Sequence, residues 1–400
     1  MAERAKGRVR RVTLAITGAV VGVVALGLVG ILAVGGLLVP ARYLDSWDRS
    51  AYERFDDPRL QLVAHGILAP SGHNMQPWIV RLDADDPHAF DIYVDAERLT
   101  PAVDPLARQT LVSVGTFLEY LRVAGDRLGW SVDVALFPEG DYDEGRLERS
   151  MTELPAARVT IAEAAPTKSG DYEALYLSDT NRDPYAATPL TAEQREALAG
   201  LAADGGPGLE LLEDPADLDA LAGFGVRGTT IEAADAAAAA ETAAVFRSNE
   251  WQKNERPWGF AVEGQGTSGF MKYLLQGLLT LFPGMNEGDA ATQRAIDLTT
   301  SEVAATPAYA LITTDGNTRA EQVEAGELYA RFQLRARTLG LVVQPLSQVL
   351  EEYPAMSEEY AAVHARFAPD GGTIQMIARV GTPTKDYPVT MRRTVEDLVR

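Results

Sequence analysis

The sequence predicts an α+β protein in which two similar halves follow an N-terminal transmembrane helix. Three observations support this prediction. Residues 13–39 form an uncharged apolar run. A pattern of helix, strand, long helix and strand occupies residues 58–170, and a looser version of it returns in residues 171–400. Because neither half could bury its sheet alone, we expect the two halves to pack together as a pseudo-dimer.

Composition limits the classes of function that the chain can have. Its 400 residues suffice for two domain-sized units or one large body, and a net charge of -21 argues against binding nucleic acid. The absence of cysteine excludes disulfides, thiolate nucleophiles and Cys-ligated metal centres. The four histidines show no metal-binding spacing, and neither a Ser/His/Asp arrangement nor a paired-carboxylate motif is present. We therefore predict no metal site and name no catalytic side chain.

The N-terminal run is long enough to cross a membrane. At about 1.5 Å per residue, residues 13–39 exceed a hydrocarbon core of roughly 30 Å. Basic residues precede the run, namely Arg4, Lys6, Arg8, Arg10 and Arg11. The positive-inside bias therefore predicts that residues 1–12 are a cytoplasmic tail and that the folded part lies on the extracytoplasmic side, after a linker at residues 40–57.

Two alternatives concern export rather than anchoring. Residues 10–14 are similar to a twin-arginine export signal, except that Thr13 replaces the usual Phe. Val39-Pro40-Ala41 is a weak site for cleavage after a signal segment. The length of the apolar run favours a retained, single-pass anchor in the cell membrane.

Hydrophobic periodicity predicts the elements of the first half. Strands are expected at residues 78–82, 90–95, 130–136 and 157–162. A long helix is expected from Asp104 or Pro105 to Leu128, with Gly129 as its stop. The acidic tract at residues 139–153 is expected to be a solvated loop.

The second half repeats this order with an insertion. Residues 307–312 are expected to correspond to residues 77–82, residues 327–345 to residues 119–132, and residues 373–381 to the strand at Ala157. Residues 231–300 have no counterpart, and they include an Ala-rich helix at residues 233–244. The apolar helix at residues 270–281 is too short to span a bilayer, so we expect a buried helix, a lid helix or one on the membrane surface.

The loop between the first helix and the first strand carries the clearest binding motif. Ser71, Asn74 and Gln76 lie in Ala-Pro-Ser-Gly-His-Asn-Met-Gln-Pro-Trp, residues 69–78. An irregular loop leaves donors and acceptors available for a flat heteroaromatic ligand. The spacing Pro-Ser-x-x-Asn-x-Gln-Pro-Trp resembles the nitroreductase family of FMN enzymes, in which this loop borders the flavin ring and ribityl chain.

The resemblance implies further contacts to FMN from the second half. Thr180 and Arg182 match the family's phosphate-binding element, although Thr-Asn-Arg-Asp-Pro alone would be a turn with an exposed arginine. Ser347 falls in the loop that directs a backbone N–H toward flavin N5. Arg392 and Arg393 fall where the family places basic residues on the phosphate, and a solvated helix N-terminus is the alternative.

The long helix narrows the resemblance. Its pattern Asp104-Pro105-x-x-Arg108-Gln109-x-x-Val112-Ser113-x-Gly115 is similar to the Acg-type subgroup, single chains made of two nitroreductase-like halves. The matches span roughly residues 58–390, and they add Arg108 and Ser113 to the expected FMN-binding residues. Alternatively, Ser113 and Gly115 let helices approach closely, and Arg108 caps an acidic neighbour.

Aromatic residues of the insertion are a further candidate group. Trp251, Arg256 and Trp258 could form a lid or a substrate wall beside a flavin, because planar and aromatic groups stack on its ring. The alternative is a helical hairpin that completes the core.

The resemblance implies a membrane-anchored, FMN-binding oxidoreductase that passes hydride or electrons to a quinone or a nitroaromatic acceptor. The family's electron donor is NAD(P)H, which is absent outside the membrane, so a membrane quinol is the alternative donor. Two other functions stay open. One is a non-catalytic protein that sequesters FMN under a lid, and the other is a membrane-tethered scaffold without cofactor.

Overall fold

The computed structural model describes residues 2–400, and for residues 2–7, 9, 10 and 12 it describes the backbone alone. Met1 lies outside the described residues. So do the side chains of Arg4, Lys6 and Arg10, which were used above to orient the N-terminus. Helix α1 runs from Ala2 to Val34 and includes Thr13–Val34, the one described helix that is long and apolar enough to cross a membrane. The predicted apolar run continues to Val39, but the helix ends earlier because the chain turns at Gly36, where φ is +91°.

The first sheet forms close to where hydrophobic alternation predicts it. Its part of the chain contains α2 (Pro58–Gly66), β1 (Trp78–Leu82), β2 (Ala89–Val94), α3 (Arg108–Leu128), β3 (Trp130–Leu136), α4 (Leu147–Glu153), β4 (Ala157–Glu163) and α5 (Gly170–Ala174). The strands are antiparallel in the order β1-β2-β4-β3. Helix α3 ends at Gly129 as predicted, in a left-handed conformation with φ +86°. Part of the tract expected to be loop is helical as α4.

The second sheet follows with a large helical insertion. Its elements are α6 (Ala192–Ala199), β5 (Gly208–Leu212), α7 (Pro215–Ala234), α8 (Ala236–Ala244), α9 (Glu250–Glu255), α10 (Gly269–Leu281), α11 (Asp289–Val303), β6 (Ala308–Thr314), α12 (Arg319–Thr338), β7 (Val342–Pro345), α13 (Ser357–Phe367), β8 (Thr373–Gly381) and α14 (Val395–Leu398). The predicted Ala-rich helix is interrupted at Asp235, whose extended backbone and side chain cap α8. Strand β5 was not predicted.

The two sheets have the same strand order. The second sheet is arranged β5-β6-β8-β7, also antiparallel, so β6 occupies the position of β2 and β5 that of β1. Residues 307–312 were expected to correspond to residues 77–82, which include β1. This prediction is wrong, because residues 308–312 belong to β6, the counterpart of β2. The other two correspondences, β7 with β3 and β8 with β4, agree with the topology.

The two long helices α3 and α12 join the two sheets. A Cβ atom on Gly115 would lie 1.9 Å from Val323 O, and one on Gly326 would lie 2.0 Å from Val112 O. Only glycine permits these backbones to approach so closely, and side chains of both helices contribute to a shared core. Gly115 therefore allows the two helices to approach closely, which is the alternative role given above. The contact between α3 and α12 sets the distance between the two halves.

Candidate functional site

A cavity of about 280 Å³ lies where the two halves meet, and we call it the first cavity. It is lined from the first half by Ser71, Asn74 and Ser113, and from the second half by Thr180, Arg182 and Ser347. Six of the ten residues that the resemblance proposed for FMN binding therefore share one cavity. Its walls combine polar groups with Val112, Phe260 and Met376, a mixture typical of small-molecule sites.

The Ser71 loop, residues 70–76, enters the cavity in a strained conformation. His73, Asn74 and Gln76 have φ values of 49°, 51° and 51°. Left-handed backbone at three non-glycine residues in four positions costs on the order of 1–3 kcal/mol each, and such strain persists only where surrounding contacts enforce it. Clusters of this kind are typical of ligand-binding loops.

Hydrogen bonds to distant segments hold the Ser71 loop in place. The Asn74 amide donates to Gly259 O and Met391 O, both at 3.2 Å, and its oxygen accepts from Arg392 at 2.9 Å. Gln76 is fully buried; it donates to Pro257 O at 2.9 Å and accepts from the Arg393 N–H at 2.7 Å. These two side chains therefore connect the loop to the insertion and to the C-terminal segment.

The serines of this wall are also used internally. Ser71 Oγ accepts from the Gln76 N–H at 2.9 Å. Ser113 Oγ accepts from the Gly72 N–H at 3.0 Å and donates to Gln109 O at 2.8 Å. Both serines line the cavity; the Ser71 hydroxyl holds the loop to itself, and the Ser113 hydroxyl fixes the loop to α3.

The opposite wall contains a cation with few protein partners. Arg182 makes one hydrogen bond within the described chain, from Nη1 to Gly264 O at 2.8 Å. Its acidic neighbours in sequence pair elsewhere, Asp179 with Arg392 at 2.7 Å and Asp183 with Lys385 at 3.9 Å. Arg182 thus brings a guanidinium to the cavity without a carboxylate partner, the arrangement that an anionic ligand requires.

Two more polar groups of the cavity wall have no protein partner. Tyr329 OH and Gln109 Nε2 are buried without a hydrogen bond to any residue that the structure describes. Burial, and then the charge of Asp179, raises the pKa of Tyr329 well above its ordinary value, so the phenol keeps its proton. Within residues 2–400 the Ser347 N–H likewise donates to no acceptor. A buried polar group left unpaired costs about 1–3 kcal/mol, which a ligand acceptor would recover.

His73 and Glu232 of the cavity wall also have shifted pKa values. Burial, and then the charge of Arg182, lowers the pKa of His73 to about 4, so the imidazole is neutral at pH 7. Its ring lies 4.9 Å from that of Phe260. Burial raises the pKa of Glu232 to about 7, because the hydrogen bond from Gln348 offsets the cost of desolvation only partly. Glu232 can therefore hold or release a proton near neutral pH.

A second cavity of about 590 Å³ adjoins the first. The two share a wall formed by Arg182, Glu232, Gln265, Gln344 and Gln348. The second cavity extends between α8 and α11. Together the cavities reach the range of roughly 300–1,000 Å³ found for cofactor and substrate sites.

The remaining arginines proposed for FMN lie outside both cavity walls. Arg108 is buried and donates to Gln375 O at 2.6 Å and to Leu350 O at 2.8 Å, so it joins α3 to the second sheet. Arg392 donates to Leu68 O at 3.0 Å and pairs with Asp179, and Arg393 donates to Gln76 O at 2.9 Å. The structure thus places these guanidinium groups on protein acceptors rather than in the cavity.

The predicted lid residues also lie outside the cavity walls. Trp251 and Arg256 are exposed, and Trp258 stacks against Arg98, whose Cζ lies 3.4 Å from the ring. The residues that follow, 259–265, cover the cavity instead, and we call them the cover segment. The Gly259 N–H holds this segment to Asn74 O at 3.0 Å.

Several cavity residues were not predicted as site residues. His73 lies inside the binding motif and Gln109 inside the long-helix pattern, so their spacing was a usable signal. Phe260 ends the aromatic segment of the insertion, whereas Tyr329 and Glu232 carry no local signal, because tertiary packing alone brings them to the cavity.

These observations describe an α+β protein with a polar cavity between two similar sheets, and sequence comparison identifies its relatives. No family model matches the chain. Three Mycobacterium tuberculosis proteins are similar to it. The provisionally named NAD(P)H nitroreductase Acg is 34% identical over 121 residues, 30% of this chain and 34% of Acg. The provisionally named NAD(P)H nitroreductase Rv3131 is 24% identical over 347 residues, 83% of this chain and 88% of Rv3131.

The third relative, the uncharacterized protein Rv3127, is 35% identical over 72 residues, and the match spans about a fifth of its length. Among solved structures, the FMN-dependent nitroreductase NfnB from Mycobacterium smegmatis in complex with NADPH is 15% identical, with a TM-score of 0.32. That match covers 55% of this chain and 92% of NfnB. The resemblance to nitroreductases predicted from residues 69–78 is confirmed: the chain is a sequence relative of this family.

Proposed function

We propose that the chain is an FMN-binding oxidoreductase of nitroreductase type, anchored to a membrane by α1. The observation that carries the proposal is the first cavity, with Arg182, which has no carboxylate partner in the described chain, in one wall and the Ser71 loop in another. Its relatives Acg and Rv3131 are named as nitroreductases, which supports the same chemistry here.

The residues of the cavity fit FMN as a ligand. Arg182 and Thr180 suit a phosphate, because a guanidinium and a hydroxyl both donate to its oxygens. Tyr329 OH, Gln109 Nε2 and the Ser347 N–H are donors in need of an acceptor, and a flavin ring offers carbonyl oxygens and ring nitrogens. Bound flavin would supply hydride or electron transfer, while the protein binds and orients it. Glu232 would hold or release the accompanying proton.

We also propose that the chain is a fused pair of nitroreductase-like halves, as in the Acg-type subgroup. The common strand order of the two sheets and the glycine contact between α3 and α12 support this proposal. Each half contributes different residues to the first cavity, so the two halves have different roles in the proposed binding site.

The proposed acceptor is a quinone or a nitroaromatic compound. The names of the relatives favour NAD(P)H as donor. If the folded part lies outside the membrane, a quinol is the donor that remains accessible there.

The phosphate assignment is tested by comparing FMN with riboflavin, which lacks the phosphate. Full-length protein in detergent is titrated with each compound while flavin fluorescence is recorded. We expect FMN to bind about 10- to 100-fold more tightly, the effect of charge-assisted hydrogen bonds worth roughly 1.5–3 kcal/mol. Equal affinities would contradict the role of Arg182, and no binding of either compound would favour the cofactor-free scaffold.

The closed cover segment favours a second candidate, a protein that holds FMN without turnover. Gly259, Gly264 and Gly266 each bond across the cavity rim, to Asn74, Arg182 and Lys385 respectively. Rapid mixing of FMN-loaded protein with NADPH or a quinol distinguishes the two. Flavin bleaching within seconds supports the oxidoreductase, and persistent colour supports the storage protein.

A further inference from the structure

We propose that the outward side of α10, with the turn after α1, is a membrane-contact surface that rests in the outer face of the same bilayer that α1 crosses. This α10 surface consists of Leu37, Leu38, Phe270, Met271, Leu281, Phe282 and Met285. It does not depend on the proposed flavin chemistry. The proposed occupant is the phospholipid bilayer.

Helix α10 buries polar side chains together with Leu279 on its inner side and is apolar on its exposed side. Gln276 is fully buried and Lys272 is 12% exposed, whereas Phe270, Met271 and Leu281 are 52%, 56% and 47% exposed. A helix on the surface of a water-soluble protein shows the opposite arrangement. Exposed apolar side chains over a polar interior are expected where the outer solvent is lipid.

A buried ionic cluster accounts for the polar inner side. Lys253 Nζ donates to Glu250 at 2.6 Å, to Gln276 at 2.7 Å and to Tyr43 OH at 3.0 Å, and it also pairs with Glu263. Lys272 pairs with Glu250 at 3.0 Å. Because its polar side chains are satisfied here, α10 has a fixed orientation and its apolar residues must face outward.

The end of α1 is joined directly to α10. A Cβ atom on Gly35 would lie 2.0 Å from Tyr273 O, and one on Gly277 would lie 2.0 Å from Ile31 O. Gln276 Nε2 also donates to Gly35 O at 2.7 Å. The pairings 31 with 277 and 35 with 273 run in opposite directions, so the helices are antiparallel at this contact.

This contact places both ends of α10 near the membrane boundary. Leu281 lies four residues after Gly277, which is about 6 Å along the helix. Because the helices are antiparallel, Leu281 lies beside the part of α1 that precedes Ile31 by the same distance, and this part belongs to the apolar run. Next to the other end of α10, the turn after α1 exposes Leu37 and Leu38 at 41% and 90%. Because α10 is antiparallel to α1, its C-terminal end lies deeper than its N-terminal end, and the offset of about 6 Å is comparable to the roughly 5–10 Å to which apolar side chains sink at an interface.

The surface also extends toward the second cavity. Arg294 of α11 donates to Met285 O at 3.3 Å, and Leu298, one turn further, is 45% exposed and lines the second cavity. We therefore place the rim of this cavity at the bilayer, where a lipid-soluble quinone could enter. This consequence for the substrate rests on the proposed flavin chemistry, whereas the contact surface rests only on the proposed anchoring by α1.

Single-cysteine labelling tests the surface, and the chain has no native cysteine to remove. Phe282→Cys, Met271→Cys and Leu298→Cys are labelled in the full chain with an environment-sensitive fluorophore and reconstituted into phosphatidylcholine vesicles. The matched control is Asp133→Cys, an exposed position on β3, a strand that does not pack against α1 or α10. Each sample is quenched with nitroxide-bearing lipid and, separately, with aqueous iodide.

We expect lipid-borne nitroxide to quench the labels at positions 271, 282 and 298 at least threefold more than the label at position 133, and iodide to show the reverse order. Equal lipid quenching at all four positions would overturn the proposal. Quenching at 271 and 282 that is independent of lipid, with emission that changes with protein concentration, would indicate a second copy of the chain and would also overturn it. Absence of lipid quenching at position 298 alone would contradict the proposed quinone entrance at the second cavity. Flavin is absent from this experiment, so failure of the proposed flavin chemistry leaves its result unchanged.

Discussion

The two walls of the first cavity differ in how their polar groups are used. In the Ser71 loop, the side chains of Ser71, Asn74 and Gln76 all have hydrogen-bond partners in the protein, within the loop for Ser71 and in distant segments for Asn74 and Gln76. In the opposite wall, Arg182 has one protein partner and Tyr329 OH has none. The Ser71 loop, which carries the clearest sequence motif, is therefore the wall whose polar side chains bond more to the protein itself.

This difference separates the residues that build the cavity from those that are available to a ligand. Substitutions in the Ser71 loop should change stability together with ligand binding, because its bonds cross to residues 257–259 and 391–393. Substitutions at Arg182 or Tyr329 should change ligand binding while leaving the fold intact. Four predictions follow this distinction, beginning with the largest effect.

The largest expected effect is the pH dependence of stability that Glu232 imposes. Its folded pKa is raised from 4.5 to about 7, so the folded state binds a proton that the unfolded state has already released. Stability should therefore fall as pH rises from about 4.5 to about 7, by on the order of 2–3 kcal/mol after screening. Glu232→Gln should reduce the decline in urea-unfolding stability between pH 5 and pH 8 by about this amount, while the buried Glu351, whose pKa is also raised, contributes a decline of its own. A decline of the same size in both proteins would assign it to other groups.

Loss of Arg182 should weaken FMN binding by about 10- to 100-fold, since a charge-assisted hydrogen bond contributes roughly 1.5–3 kcal/mol. Arg182→Ala should keep the melting temperature of the apo-protein, because the side chain has a single protein partner. The control is Arg149→Ala, an exposed arginine paired with Glu153. An unchanged FMN dissociation constant in Arg182→Ala would contradict the phosphate assignment.

Asn74→Ala should lower the stability of the apo-protein by about 1–3 kcal/mol, because Gly259 O, Met391 O and Arg392 each lose a partner. FMN binding should weaken as well, through displacement of the cover segment. Chemical unfolding without flavin measures the first effect. A variant with normal stability and weakened FMN binding would instead make Asn74 a direct ligand contact.

The smallest effect is expected for Tyr329→Phe, which removes one hydroxyl from the cavity wall. We expect a roughly 3- to 10-fold loss in FMN affinity, the value of one neutral hydrogen bond of about 0.5–1.5 kcal/mol. Stability of the apo-protein should stay equal or rise slightly, because a buried donor without a partner is removed. Lower apo-stability would show that the hydroxyl serves the fold.

Much of the fold could be predicted from the sequence because most of its elements have local signals. An apolar run identified β1, alternating apolar residues identified β2, and Gly129 identified the end of α3. Strand β5 was missed because Leu209 and Leu211 alternate with Gly208 and Glu210 over only five residues, which is too short a signal beside the neighbouring glycines. Without β5, residues 307–312 were compared with β1 rather than β2.

The candidate site could be predicted only in part, because sequence does not reveal which acceptor an arginine meets. Arg182 lines the cavity, whereas Arg108 and Arg392 are buried on backbone carbonyls. All three are arginines near polar turns or helix starts in the sequence. Tyr329 lies in the middle of α12, so only the packing of α12 against α3 brings it to the cavity.

The central claim is that the two halves form one FMN site and not two. The segment that precedes β5, residues 200–207, lacks the Ser-x-x-Asn-x-Gln pattern of the loop before β1, so a symmetry-related second site is not expected. The most direct measurement is the number of FMN molecules bound per full-length chain, from flavin absorbance after saturation and removal of excess ligand. The account predicts one FMN per chain, and a value of zero or two would contradict it.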